Sequence, residues 1–171
     1  MLKSPGLKPL LFVKKGGELS LPGQELTRLL QAVLEKGASF RFRARGFSMF
    51  PFIKDGDVIT VDSLSGGKPR LGDVLVYVNP RTRKIVVHRM IGKRRDCYII
   101  KGDNTPDSDG IIPRENILGR VKRVEREGKR IFLGLGVERV IIALLIRAGI
   151  LSPFFLPVVR ITRVLKRKRV R

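Results

Sequence analysis

The sequence predicts a mainly β domain with one amphipathic helix ahead of it and a helical segment behind it. Short apolar runs separated by turn residues fill residues 39–133, a single helical periodicity precedes them, and an apolar stretch almost free of charge follows. Three regions result: an N-terminal arm and helix (1–38), a β core (39–133) and a basic, apolar C-terminal helical segment (134–171).

Residues 1–20 mix Lys, Gly and Pro without sustained periodicity, which reads as an arm or a lead-in strand. They do not form a secretory signal, because the apolar core at residues 10–13 is short and Lys14-Lys15 interrupts it. Over residues 24–36, Leu26, Leu29, Leu30, Val33 and Leu34 follow the i, i+3, i+4, i+7, i+8 spacing of one helix face, and Gly37 is a natural stop. Such a helix is expected to cover the open face of a sheet, with a partner surface as the alternative. Strand-like runs then occupy residues 40–45, 58–61, 74–78, 85–91, 98–100, 117–124 and 130–133. Between them lie Lys54-Asp55-Gly56-Asp57, Ser65-Gly66-Gly67, Asn79-Pro80, Gly102-Asp103-Asn104 and Glu127-Gly128.

Residues 140–159 contain a single charge, Arg147. Their length could just span a bilayer, but Arg147 sits near the centre and Pro153 and Pro157 break the helix. The expectation is a pair of interfacial helices on an anionic membrane surface, with Arg160, Arg163 and Lys166 to Arg169 near the phosphates. A helix that closes the core is the competing reading. The protein is therefore expected to be membrane-associated, peripherally or through its C-terminal segment.

Hydrophobic residues make up 43% of the 171-residue chain, which excludes a disordered polymer. The net charge is +21, and it is uneven: residues 51–119 hold twelve basic and nine acidic side chains, residues 120–171 fifteen and three. A polycationic tail attracts any polyanion, but no base-reading or stacking motif accompanies it, so no specific nucleic-acid partner is expected. The one cysteine, Cys97, cannot form an internal disulfide and reads as a buried thiol in an apolar run. No Cys/His cluster offers metal ligands.

Chemistry concentrates in three places. Ser48 lies in the tight segment Gly46-Phe47-Ser48-Met49-Phe50-Pro51, where nearby backbone N–H groups can point at a developing oxyanion. His88, the sole histidine, lies in the run Lys84 to Ile91, whose alternation puts Val86, His88 and Met90 on one face and Ile85, Val87 and Arg89 on the other. An imidazole with an ordinary pKa of about 6.5 can take a serine proton at neutral pH. Finally, the turn-rich acidic stretch of residues 101–109 offers Asp103, Asp107 and Asp109, any of which could bond the far nitrogen of His88 and fix its tautomer.

Six short motifs in order carry a family resemblance: Ser48-Met49-x-Pro51, Gly56-Asp57-x-Ile59, Gly72-Asp73-Val74-Leu75, Val87-His88-Arg89, Lys101-Gly102-Asp103-Asn104 and Ile117-Leu118-Gly119-Arg120-Val121. Over roughly residues 40–125 the chain resembles the signal peptidase I family within the LexA and signal peptidase superfamily. It looks most like the branch of archaea and the endoplasmic reticulum, which places histidine where the others have lysine. Gly46 and Phe47 before the serine are closer to the LexA arrangement. The resemblance implies a signal peptidase/LexA-like β-fold and a serine endopeptidase that removes leader or signal segments after small residues. It implies Ser48 as nucleophile, His88 as general base, Asp109 as its orienting group with Asp107 as competitor, and Asp103 as a supporting residue. It implies no metal or nucleotide cofactor.

Two other functions compete. A LexA-like self-cleaving regulator would need a reader domain, and only 47 residues with one clear helix precede Ser48; an Ala-Gly pair occurs downstream, at Ala148-Gly149. A non-catalytic basic β domain binding nucleic acid would need no role for His88.

Overall fold

The computed structural model describes residues 13–15, 18–20 and 23–151. Strands β1 (Val13–Lys15) and β2 (Glu18–Ser20) pair antiparallel within the region expected to be an arm or lead-in strand. Helix α1 (Gly23–Glu35) follows. Leu30 and Leu34 are buried while Leu29 is exposed, so the stripe that meets the sheet is narrower than the spacing implied. Gly37 ends the helix at φ 74°, with its N–H on the Leu34 carbonyl and the Ala38 N–H on that of Val33.

Eight further strands follow: β3 (Phe40–Arg43), β4 (Val58–Asp62), β5 (Val74–Val78), β6 (Ile85–Arg94), β7 (Cys97–Lys101), β8 (Ser108–Pro113), β9 (Ile117–Arg126) and β10 (Lys129–Ile131). They form one antiparallel sheet in the order β3-β4-β9-β5-β6-β7-β8, with β10 on β9. The mainly β expectation is met. β8 was not expected, because its leading Ser-Asp-Gly reads as turn, and its ladder to β7 carries a register shift between Ile99 and Lys101. Cys97 starts β7 half-buried, less enclosed than a core thiol.

The continuous apolar run of β5 is explained by its place: Val74 and Val76 face one core, Leu75 and Tyr77 another. The first core gathers Leu30 and Leu34 of α1 with Met49, Ile53, Ile59, Val61, Val121 and Val124. The second packs Met90, Tyr98, Ile100 and Ile112 on the opposite face.

Helix α2 (Arg139–Arg147) packs Ile142, Ala143 and Ile146 against Ile91 of β6. The first part of the C-terminal segment is thus a helix closed onto the sheet, while Val137, Ile141 and Leu144 remain exposed. Pro153, Pro157 and the basic residues from Arg160 onward lie outside the described residues. Among the described residues no helix is long and apolar enough to cross a membrane.

Two contacts seat α2. Gly72, at φ 87°, brings the chain so close to the helix start that a Cβ there would lie 2.5 Å from the Arg139 carbonyl oxygen. The Glu138 carboxylate accepts the N–H groups of Gly134 (2.7 Å) and Gly136 (2.9 Å). Its own N–H first, then those two, hold the Glu138 carboxyl below the usual carboxylate range. A carboxyl depressed in the folded state contributes stability above its unfolded pKa, and that contribution disappears as pH falls through the folded value. Glu138→Gln is expected to lower the denaturation midpoint at pH 7, with the gap to the parent closing in denaturant titrations taken at progressively more acid pH.

Candidate active site

The Ser48 loop connects β3 to β4, and its neighbours anchor it. Met49 and Ile53 are buried in the first core, and the Ile53 N–H bonds the Met49 carbonyl at 2.9 Å. Gly46, at φ 94°, turns the chain and donates its N–H to Asp55 Oδ1 at 2.9 Å. With Met49 locked inward, Ser48 sits half-buried in the wall of a cavity of about 430 Å³. His88 lines the same cavity, together with Phe42, Ala44, Ile85, Val86 and Val87.

His88 stands on β6 opposite Leu75. Its Nδ1 meets Asp109 Oδ2 at 2.5 Å. Asp109 reaches it from β8, the strand that was not expected, which is why sequence pattern alone left three carboxylates in competition. Asp107 is exposed on the preceding turn, where its carbonyl accepts the Thr105 hydroxyl at 3.0 Å.

The other imidazole nitrogen and the Ser48 loop both approach Gly102. A Cβ placed on Gly102 would lie 2.8 Å from the Ser48 carbonyl oxygen and 3.0 Å from His88 Nε2, so the absent side chain is what lets serine loop and imidazole converge. Next to it, Asn104 clamps the loop: its N–H donates to the Ser48 carbonyl (2.7 Å) and its Nδ2 to that of Phe47 (3.2 Å). Among the described residues the Ser48 hydroxyl makes no hydrogen bond, to His88 or elsewhere. Asp109 thus meets one nitrogen of His88, and the Ser48 loop approaches Gly102 beside the other.

Asp103 has a different place. It faces Arg89, not the imidazole: Arg89 Nε meets Asp103 Oδ1 at 2.8 Å and Nη2 meets Oδ2 at 2.7 Å, with both residues sealed from solvent. Arg89 Nη1 also donates to the carbonyls of Gly72 (2.9 Å) and Gly134 (2.7 Å). Burial pushes the Asp103 carboxyl up, and the bidentate guanidinium opposes that shift. Asp103 thus meets Arg89, which the sequence offers only as part of the Val87-His88-Arg89 motif. Strand alternation had placed it on the face opposite His88; His88 lines the cavity and Arg89 meets Asp103.

Tyr77 was also missed. Its hydroxyl is buried, and burial first and the nearby Asp109 carboxylate second push its phenol up. In the sequence it is one more member of an apolar run. Among the described residues no group of three His, Cys, Asp or Glu could hold a metal ion.

Removing one partner of a buried ion pair leaves the other charge uncompensated, at a cost of about 3–5 kcal/mol. Asp103→Asn is expected to lose stability of that order in chemical denaturation. Asp109→Asn, at a partly exposed hydrogen bond, is expected to lose only about 1–2 kcal/mol. Equal losses would show that the two carboxylates are not divided between frame and site.

No curated protein matches the chain. A family model described as Peptidase S24-like matches residues 13–122, more than half of the sequence, and spans Ser48, His88, Asp103 and Asp109. That family contains serine peptidases and LexA-like self-cleaving proteins. On this match, and with a β-fold consistent with it, the chain belongs to the Peptidase S24-like family.

Proposed function

We propose that the protein is a serine endopeptidase of signal-peptidase type, which cleaves leader or signal segments from other polypeptides after small residues. The observation that carries this reading is the imidazole of His88, bonded to Asp109 on one side and turned to Ser48 across Gly102 on the other, in the wall of an apolar cavity. Ser48 Oγ attacks the scissile carbonyl while His88 Nε2 takes its proton, and Asp109 stabilises the imidazolium that forms. The Ser48 N–H is the donor proposed for the oxyanion. Collapse expels the amine, which receives the proton from Nε2, and water then releases the acyl group by the same route.

The strands that flank the cavity fit an extended peptide. β3 is the edge of the sheet, and β7 pairs with β6 only from Arg89 onward, so residues 85–88 have no partner on that side among the described strands. An incoming strand has backbone groups to pair with on both walls. Self-cleavage at Ala148-Gly149 gains no support from the geometry: both N–H groups close the end of α2, and neither residue lines the cavity.

Ser48→Ala and His88→Ala are each expected to reduce cleavage of a precursor peptide by about 10³-fold or more without altering the thermal midpoint substantially, and Asp109→Asn by about 10²-fold or more. Either alanine variant at full rate would refute the mechanism. In a wild-type sample held without substrate, mass spectrometry should find the full-length chain.

Association with an anionic membrane belongs to the same proposal. It is supported by the exposed Phe132, Leu133, Val137, Ile141 and Leu144, followed in sequence by Arg160, Arg163 and Lys166 to Arg169. Vesicles containing anionic lipid should sediment with the full chain, less with Ile141→Glu/Leu144→Glu and less with a chain ending at Leu151. Equal recovery of all three proteins in the supernatant would refute it. Truncation before α2 is not a clean test, since it removes Ile142 and Ile146 from the packing on β6.

A further inference from the structure

The cavity beside Ser48 has an apolar floor and a cationic lip. Met49, Ile53, Phe42, Ala44, Ile85 and Val87 form the floor, while Arg43, Arg45 and Lys54 are exposed above it, and no carboxylate occurs among the lining residues. Glu125 pairs with Arg41 (2.5 Å) and Arg123 (3.5 Å), Asp55 accepts the Gly46 N–H, and Arg43 Nη1 donates to the Gly56 carbonyl (3.0 Å).

Backbone geometry decides which substrate side chains meet those cations. The Ala44 N–H donates to the Asp57 carbonyl (2.7 Å) and the Ala44 carbonyl accepts the Gly56 N–H (2.9 Å), so Ala44 faces its backbone toward the β4 side. In an antiparallel ladder the bonding direction alternates, which turns the backbone groups of Arg43 and Arg45 to the open edge. Side chains alternate too: Phe40, Phe42 and Ala44 pack on the first core, and Arg41, Arg43 and Arg45 are exposed on the other face. A peptide that pairs with this edge places the residues opposite Arg43 and Arg45 on the arginine face, within cross-strand distance, and sends the residues between them to the floor.

Resting on the peptidase reading above, we infer that the cleft selects peptides with an acidic side chain immediately before the residue whose carbonyl is attacked. The residue at the cut faces the apolar floor beside Ser48; its predecessor, one step along the strand, faces Arg45 and Lys54. Small residues on the floor side alternate with Asp or Glu on the lip side, a substrate class in which charge and size are read on opposite faces of one strand.

The test uses the full chain and synthetic peptides with alanine at the cut and two residues before it, and Glu, Gln or Lys between. Binding to the Ser48→Ala protein is measured by fluorescence anisotropy, and cleavage with the wild type. Cross-strand charge pairs lead us to expect about three- to tenfold tighter binding for Glu than Lys, with Gln between, the difference shrinking as salt is raised. Arg45→Glu/Lys54→Glu should reverse the order. A control peptide with Glu moved one place, onto the floor face, should lose affinity. Equal affinities, or the same gain from Glu at either position, would overturn the inference by reducing it to attraction toward a polycation. The peptidase proposal fails separately: the predicted binding order without wild-type cleavage removes the enzyme and leaves the charge-reading cleft, whereas no binding by any peptide removes both.

Discussion

The Arg89–Asp103 pair is the interaction on which the rest of the site depends. Arg89 follows His88 on β6, and Asp103 lies between Gly102 and Asn104, so one bidentate contact fixes the strand that carries the imidazole to the turn that holds the serine loop. Two unpaired charges at this depth would be far costlier than the pair is favourable. The pair therefore acts less as a source of stability than as a rule about position: the molecule buries these groups together or not at all.

The same device recurs at the other two Gly-Asp steps. Asp57 is buried and meets Arg126 through both oxygens (2.9 and 2.8 Å), while also accepting the Lys54 N–H. Asp73 is buried beside Arg120 (3.2 Å) and Arg139 (3.3 Å) and accepts the Arg70 N–H. Each aspartate caps a turn with one oxygen and ties a distant strand or helix with its charge. Residues far apart in sequence, 57 with 126, 73 with 120 and 139, 89 with 103, are thereby registered against one another in a sheet whose apolar alternation alone would not choose among neighbouring turns.

What was legible in the sequence follows from what a linear pattern can encode. The strands announce themselves through period-two apolarity, and Ser48 and His88 through a single histidine and an ordered set of short motifs. Asp109 was not separable from Asp107 by pattern, because the strand that delivers it begins with residues typical of turns and owes its existence to pairing with β7. Arg89 was harder still: a charge on the alternate face of a strand reads as solvent-facing, and only the arrival of Asp103 from a later turn makes burial tolerable. The exposure of Leu29 has the same origin, since helical spacing says which residues share a face but not how much of that face a sheet covers.

Arg89 also ends on the carbonyl of Gly134, and the loop from Gly134 to Gly136 is held by Glu138 at the foot of α2. The C-terminal helix is therefore in mechanical series with the strand that carries His88. A pull on the chain beyond α2 would reach the Arg89 guanidinium through Glu138 and Gly134, so the seating of the helix and the alignment of the strand that carries His88 form one mechanical problem.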